Sequence, residues 1–247
     1  IAAAAYGTES IEAVDKIVGP GNIYVSLAKK QVFGTVGIDG IYGPSELAII
    51  ADESASAKQV AADLLSQLEH GSGLESTLFL TDSKKLLLET KEELEKQIIA
   101  FESKTDEQIA TIRSSLEKWS ALILTEDLAE AVDIVNQYAP EHLELHTKDP
   151  NALVDEIKSA GAIFIGANSC ESLGDYIAGP SHCLPTAGST RFSSGLQACD
   201  FVTKTSLIDF STVDNSTVEF RDLIEDVARI ARAEGLEGHA RAMEARD

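Results

Sequence analysis

Short β-rich runs alternate with amphipathic helical segments along most of the chain, and this alternation limits the fold more than any other feature. Residues 15–18, 47–51, 77–81, 121–125 and 162–165 have strand character. The clearest helical segments are 56–70, 83–103, 105–120, 128–138 and 151–159, many opening on Ser, Thr, Asp or Glu near a cap position. Strand, helix, strand in succession predicts an α/β fold with a mainly parallel sheet, because parallel neighbours need a crossover that a helix supplies. After Gly195 the pattern changes. A β-like stretch at 201–209 precedes the segment 217–233, whose Phe220, Leu223, Ile224, Val227, Ile230 and Ala231 form one apolar face. A small helical tail module is therefore expected. Nothing repeats at a fixed period, and no segment is low-complexity.

The chain has 247 residues, 44% of them apolar, enough to build a sizeable core. With 20 Lys+Arg against 41 Asp+Glu, the formal charge of −21 and the lack of a long basic stripe argue against nucleic acid as a partner. No apolar run reaches the ~20 residues of a membrane span, and none has the layout of a signal peptide, so no membrane association and a cytoplasmic location are expected. Cys170, Cys183 and Cys199 are odd in number and lack the close pairing of a zinc ribbon or redox motif, so they read as reduced thiols. The chain opens inside the apolar run Ile1 to Ala5 without an initiator Met, which suggests a longer natural protein.

Four stretches could carry chemistry. On the helix 56–70, Gln67 falls on the face of Val60 and Leu64, with His70 one turn on. The pair is either a C-terminal His favoured by the helix dipole beside a hydrogen-bonding Gln, or two metal ligands on one helical face. Ala139-Pro140-Glu141-His142-Leu143 follows the helix 128–138, which Pro140 stops; adjacent Glu141 and His142 suit acid and base work, or are ordinary first-turn residues. His146 has no such setting and reads as surface. Gly174-Asp175-Tyr176 and Gly179-Pro180-Ser181-His182-Cys183-Leu184-Pro185-Thr186 place titratable groups in a loop where turns explain the glycines but not Asp175 and His182. Gly19-Pro20-Gly21-Asn22, before a helix at 24–33, could bring backbone N–H groups to a ligand but does not match G-x-G-x-x-G. His239 in the tail, taken alone, reads as surface.

Taken in order, Val14-Asp15-Lys16-Ile17-Val18-Gly19-Pro20-Gly21-Asn22, Gly43-Pro44-Ser45-Glu46, Gln67-x-x-His70-Gly71, Ala139-Pro140-Glu141-His142-Leu143, Gly179-Pro180-Ser181-His182 to Thr186 and Glu234-Gly235-Leu236-x-x-His239 resemble the histidinol dehydrogenase family over nearly the whole chain. The resemblance implies a zinc ion held by Gln67, His70, Asp175 and His239. Two imidazoles and a carboxylate are ordinary zinc ligands, whereas a Gln amide oxygen is an uncommon and weak one. It implies NAD-linked oxidation of L-histidinol through histidinal to L-histidine, with two NAD used in succession. In that scheme His142 is the general base for the hydroxyl proton and Glu141 activates the water that hydrates the aldehyde. Substrate contacts implied in the same way are Ser45, Gln67, His70, Glu141, His142, Asp175, Tyr176, His182, Glu234 and His239, and Asn22 is the implied NAD contact.

The resemblance further implies a homodimer in which the tail His239 is donated across the interface. It implies incomplete Rossmann-like parallel sheets with a small helical C-terminal module: 1–46 as the end of a Rossmann-like NAD-side domain, 47–196 as the main Rossmann-like domain with metal and catalytic residues, and 197–247 as the tail. Family members are longer at the N-terminus, so this piece alone is expected to bind NAD poorly and to lose sheet neighbours. The rival readings are a zinc hydrolase using Glu141 and His142 on bound water, and a non-catalytic α/β binding protein. The stretch 91–118, rich in charged helix formers, has no functional account.

Overall fold

The computed structural model describes residues 1–101, 104–214 and 216–246. It comprises two compact units, Ile1–Val202 and Thr203–Asp247. The first opens with α1 (Ala2–Tyr6), β1 (Lys16–Ile17), α2 (Ile23–Val32) and β2 (Gly37–Ile38), with β1 and β2 paired in parallel. Then come β3 (Glu46–Ala51), α3 (Ala57–Leu68), β4 (Ser76–Thr81), α4 (Lys84–Ile99), α5 (Asp106–Trp119), β5 (Ala121–Leu124), α6 (Leu128–Tyr138), β6 (His142–His146), α7 (Asn151–Val154), β7 (Ala162–Ile165) and α8 (Glu171–Tyr176). The second unit holds α9 (Val218–Ala233) and α10 (Glu237–Glu244). Among the described residues no helix is long and apolar enough to cross a membrane.

The main sheet is five-stranded and parallel, in the order β5-β4-β3-β6-β7. This is a doubly wound order: the chain runs from β3 outward through β4 to β5, then crosses back to β6 and β7. The α/β class expected from the alternation is what forms. β3 is central, and its run Leu47–Ala51 is fully buried because successive residues point to opposite, covered faces. Leu47, Ile49 and Ala51 pack with Val60, Leu64 and Leu68 of α3. Ala48 and Ile50 pack on the other face with Val132 and Val135 of α6.

Caps set the helix starts. Ser83 and Asp127 accept from backbone N–H groups of α4 and α6, and Thr105 with Gln108 forms a capping box on α5. Of the charged stretch 91–118, residues 91–99 lie in α4 and 106–118 in α5, and Arg113 makes a two-point contact with Glu95 at 2.9 and 2.7 Å.

Several expected elements differ. The helix expected at 83–103 ends at Ile99, and Glu102 and Ser103 lie outside the described residues. The helix expected at 151–159 is only one turn, because Asn136 of α6 takes up backbone groups beyond it: its Nδ2 donates to Glu156 O (2.9 Å) and its Oδ1 accepts from Lys158 N (2.6 Å). The β-like stretch at 201–209 forms no strand among the described residues. Leu207 and Ile208 stand 93% and 82% exposed, and an alternating sequence makes a strand only where a partner supplies the ladder. Helix α8 forms where the sequence suggested a loop, and α10 forms in the tail.

Candidate active site

Glu141 and His142 are placed by how α6 ends. Ala139 turns left-handed (φ 54°) and is fully buried, and Pro140 follows, so the chain reverses sharply into β6. A left-handed alanine is strained by roughly 1–2 kcal/mol, tension held immediately before Glu141 and His142. The backbone beyond is clamped to β7: Gly161 N donates to Pro140 O (3.0 Å) and Ala162 N to Glu141 O (2.9 Å). A Cβ on Gly161 would meet Glu141 O at 2.5 Å and Leu184 Cβ at 3.2 Å. Gly161→Ala therefore forces the pair's own backbone aside; destabilisation of about 1–3 kcal/mol is expected, read as a lower melting temperature. An unchanged melting temperature would contradict this clamp.

The side chains of Glu141 and His142 are buried beside the start of β3. Glu141 Oε2 accepts from Glu46 N (3.1 Å), and His142 Nδ1 lies 3.2 Å from Glu46 O. His142 therefore donates through Nδ1, leaving Nε2 as the acceptor. That nitrogen is buried without a hydrogen-bond partner and faces Asp175 Oδ1 at 3.9 Å. Burial pushes the His142 imidazole below its usual range, outweighing the pull of the Asp175 charge. Burial pushes the Glu141 carboxyl up to about 8, with the Glu46 and Asp175 charges adding and the Glu46 N–H opposing.

The loop after α8 is lashed to the same place. Thr186 Oγ1 accepts from Gly43 N (2.6 Å), and Ala187 N donates to Glu46 Oε1 (3.0 Å). A cavity of about 270 Å³ results, and Ser45, His70, Glu141, His142, Asp175 and His182 all line it. These residues come from five separate stretches of sequence. The cavity sits at the amino ends of β3 and β6, since Glu46 and His142 are the first residues of their strands. Doubly wound sheets usually bind ligands at the carboxyl ends.

Groups able to ligate a metal lie in the same region. One ligand atom each of His70, Glu171 and Asp175 falls within 4.8 Å of the others. His70 Nδ1 lies 2.9 Å from Gln67 O, an arrangement that occupies Nδ1 and leaves Nε2 for a cation. Gln67 is fully buried behind this group, and its amide meets the Glu171 carboxylate. Burial and the neighbouring acids, Asp175 foremost, push Glu171 up to about 9. Two imidazole or amide donors with carboxylates close by suit a zinc-like divalent ion.

Tyr176 and Asn22 are not among the residues that line this cavity. Tyr176, next to Asp175, is 88% exposed. Asn22 caps α2, accepting from Tyr24 N (3.1 Å) and Val25 N (3.2 Å). Its turn is held by the buried Lys29–Asp39 pair, since Gly19 O accepts from Lys29 Nζ (2.9 Å) and Gly19 N donates to Asp39 Oδ2 (2.6 Å). Glu234, at the end of α9, and His239, in α10, are exposed residues of the second unit. The three cysteines are free thiols.

The whole chain, residues 1–247, matches histidinol dehydrogenase. It belongs to the histidinol dehydrogenase family. The histidinol dehydrogenases of Bacillus licheniformis and Bacillus subtilis are each 50% identical to it over 247 residues, covering 100% of this chain and 55% of theirs. The crystal structure of histidinol dehydrogenase from Elizabethkingia anophelis is similar at a TM-score of 0.86 with 36% identity, over 99% of this chain and 54% of that one. The chain thus spans about half the length of the family members it matches.

The structure changes two readings of the residues. His146, expected at the surface, is buried on β6 with Nε2 3.0 Å from Glu144 Oε2 and 3.9 Å from Asp63 Oδ2. Strand alternation explains it: His142, Glu144 and His146 share one face of β6 while Leu143 and Leu145 enter the apolar layer. Glu171 escaped notice altogether. Its four-residue spacing from Asp175 was a usable signal, but only once α8 is known to be helical.

Proposed function

We propose that this chain is the catalytic and metal-binding portion of a zinc-dependent, NAD-linked histidinol dehydrogenase, which oxidises L-histidinol through histidinal to L-histidine. The observation that carries the reading is the single cavity lined by Ser45, His70, Glu141, His142, Asp175 and His182, formed from stretches distant in sequence. Gln67, His70 and Asp175 are the proposed zinc donors, with His239 of the tail as fourth donor, contributed across a homodimer interface. A zinc ion so held would supply a Lewis-acid anchor for the imidazole and amine of the substrate. NAD would accept the hydride of each oxidation, with Asn22 as one contact.

The chain's own groups handle the protons. His142, neutral at pH 7 and with Nε2 unpartnered, takes the hydroxyl proton as hydride leaves the adjacent carbon. Glu141 removes a proton from the water that adds to the aldehyde, giving the hydrate that is oxidised next. Ser45, Tyr176, His182 and Glu234 are the proposed further substrate contacts. Burial of Glu141 and His142 keeps bulk water from competing for these protons.

The test is direct. The intact protein, given zinc, L-histidinol and NAD, should release L-histidine with two reduced cofactors per substrate, followed by absorbance of the reduced cofactor. No reduced cofactor with zinc bound would overturn the reading.

A further inference from the structure

We infer that Glu171 is a positioning residue that acts through Gln67, fixing which face of the Gln67 amide is offered to the metal; the inference rests on the zinc reading above. Gln67 is fully buried and Glu171 is 3% exposed, so neither can settle its hydrogen bonds with bulk water. Oriented as its partners require, the Gln67 amide donates from Nε2 to Glu171 Oε1 (2.9 Å) and Oε2 (2.6 Å). The two heteroatoms of an amide lie on opposite sides of one carbon. Seating the nitrogen on a carboxylate therefore turns Oε1 away from Glu171, and Oε1 is the atom able to donate to a cation.

This support answers the weakness of an amide as a ligand. A neutral carbonyl oxygen is a poor zinc donor, and a flipped amide would present N–H groups that cannot bind a cation at all. With a divalent cation bound beside it Glu171 is held ionised, and a carboxylate receiving the N–H both forbids the flip and polarises the amide toward its oxygen. Glu171 is itself held in place: its backbone N–H donates to Glu144 Oε1 at 2.7 Å, in the first turn of α8. Asp175 follows one helical turn later. One short helix thus presents a donor of its own and steadies a donor on α3. The competing role for Glu171 is direct ligation, since its carboxylate reaches the same cluster as His70 and Asp175.

Zinc affinity of the intact protein, measured by competition with a chromophoric chelator, separates these roles. Glu171→Gln and Gln67→Ala should each weaken zinc binding about 10- to 100-fold. The double variant should be no weaker than Gln67→Ala, because Glu171 then has nothing to orient. Stripped of metal, Glu171→Gln should melt at or above the parent temperature, since it loses a buried carboxylate, which shows that the fold is intact. Parent-like zinc affinity in Glu171→Gln would overturn the inference, as would additive losses in the double variant, the mark of direct ligation. His70→Ala is the control: if it too binds zinc like the parent, the zinc reading fails and takes this inference with it.

Discussion

His142→Ala is expected to lower the turnover of L-histidinol by about 10²- to 10⁴-fold, the range for loss of a positioned general base. The geometry prepares one nitrogen for the task. His142 Nδ1 is committed to Glu46 O at 3.2 Å, which fixes the tautomer and leaves Nε2 as the proton acceptor beside Asp175. Burial keeps the imidazole neutral at pH 7, so the acceptor is present without waiting for deprotonation. Zinc content should stay at the parent's level, because the proposed donors, Gln67 of α3, His70 just beyond its end, Asp175 of α8 and His239 of α10, all lie outside β6. Steady-state turnover with metal analysis checks both halves. Turnover within threefold of the parent, with zinc bound, would show that another group takes the proton.

Glu141→Gln should spare the first oxidation and slow the second by about 10²-fold or more, so that the aldehyde accumulates and can be trapped with a hydrazine. The carboxylate is anchored at the cavity: Glu46 N holds one oxygen, and the residue lines the cavity wall. Its pKa supplies a second signature. Raised to about 8, the carboxyl is protonated below that pH and becomes a base above it. The second oxidation in the parent should therefore climb with pH and level off above about 8, and the Gln variant should lack that limb. The first oxidation depends on His142, whose base form is already present above the usual imidazole range, so it should be flat over the same interval. Equal slowing of both oxidations in Glu141→Gln would contradict the division of labour.

Much of the frame was legible before any coordinates. The segment 128–138 reads as a helix stopped by Pro140, and α6 spans Leu128–Tyr138, because a cap, an apolar stripe and a proline all act within a few residues. The run at 47–51 reads as a strand, and it is the buried centre of the sheet. Failures fall where a distant group decides. The segment 151–159 loses its helix to the side chain of Asn136, and 201–209 has strand alternation without a strand to pair with. His146 looked exposed because nothing adjacent to it announces Glu144 and Asp63 as partners across the strand and from α3.

The sequence by itself determined the α/β class and, through the order of its motifs, the family; the pairing of Gln67 with His70 on one helical face was expected too, but α3 ends at Leu68 and His70 lies in the turn beyond it. Each rests on spacings of a few residues, which helix and strand geometry convert into shared faces. Only the tertiary structure decided that the cavity opens at the amino ends of β3 and β6, that Glu46 and Glu141 meet although 95 residues apart, and that Glu171 stands behind Gln67. The physical reason is that the chemistry of these groups is set by burial and by long-range pairing. A carboxylate pushed to about 8 differs from an ordinary one by its surroundings alone, and those surroundings exist only after the doubly wound sheet has brought distant segments together.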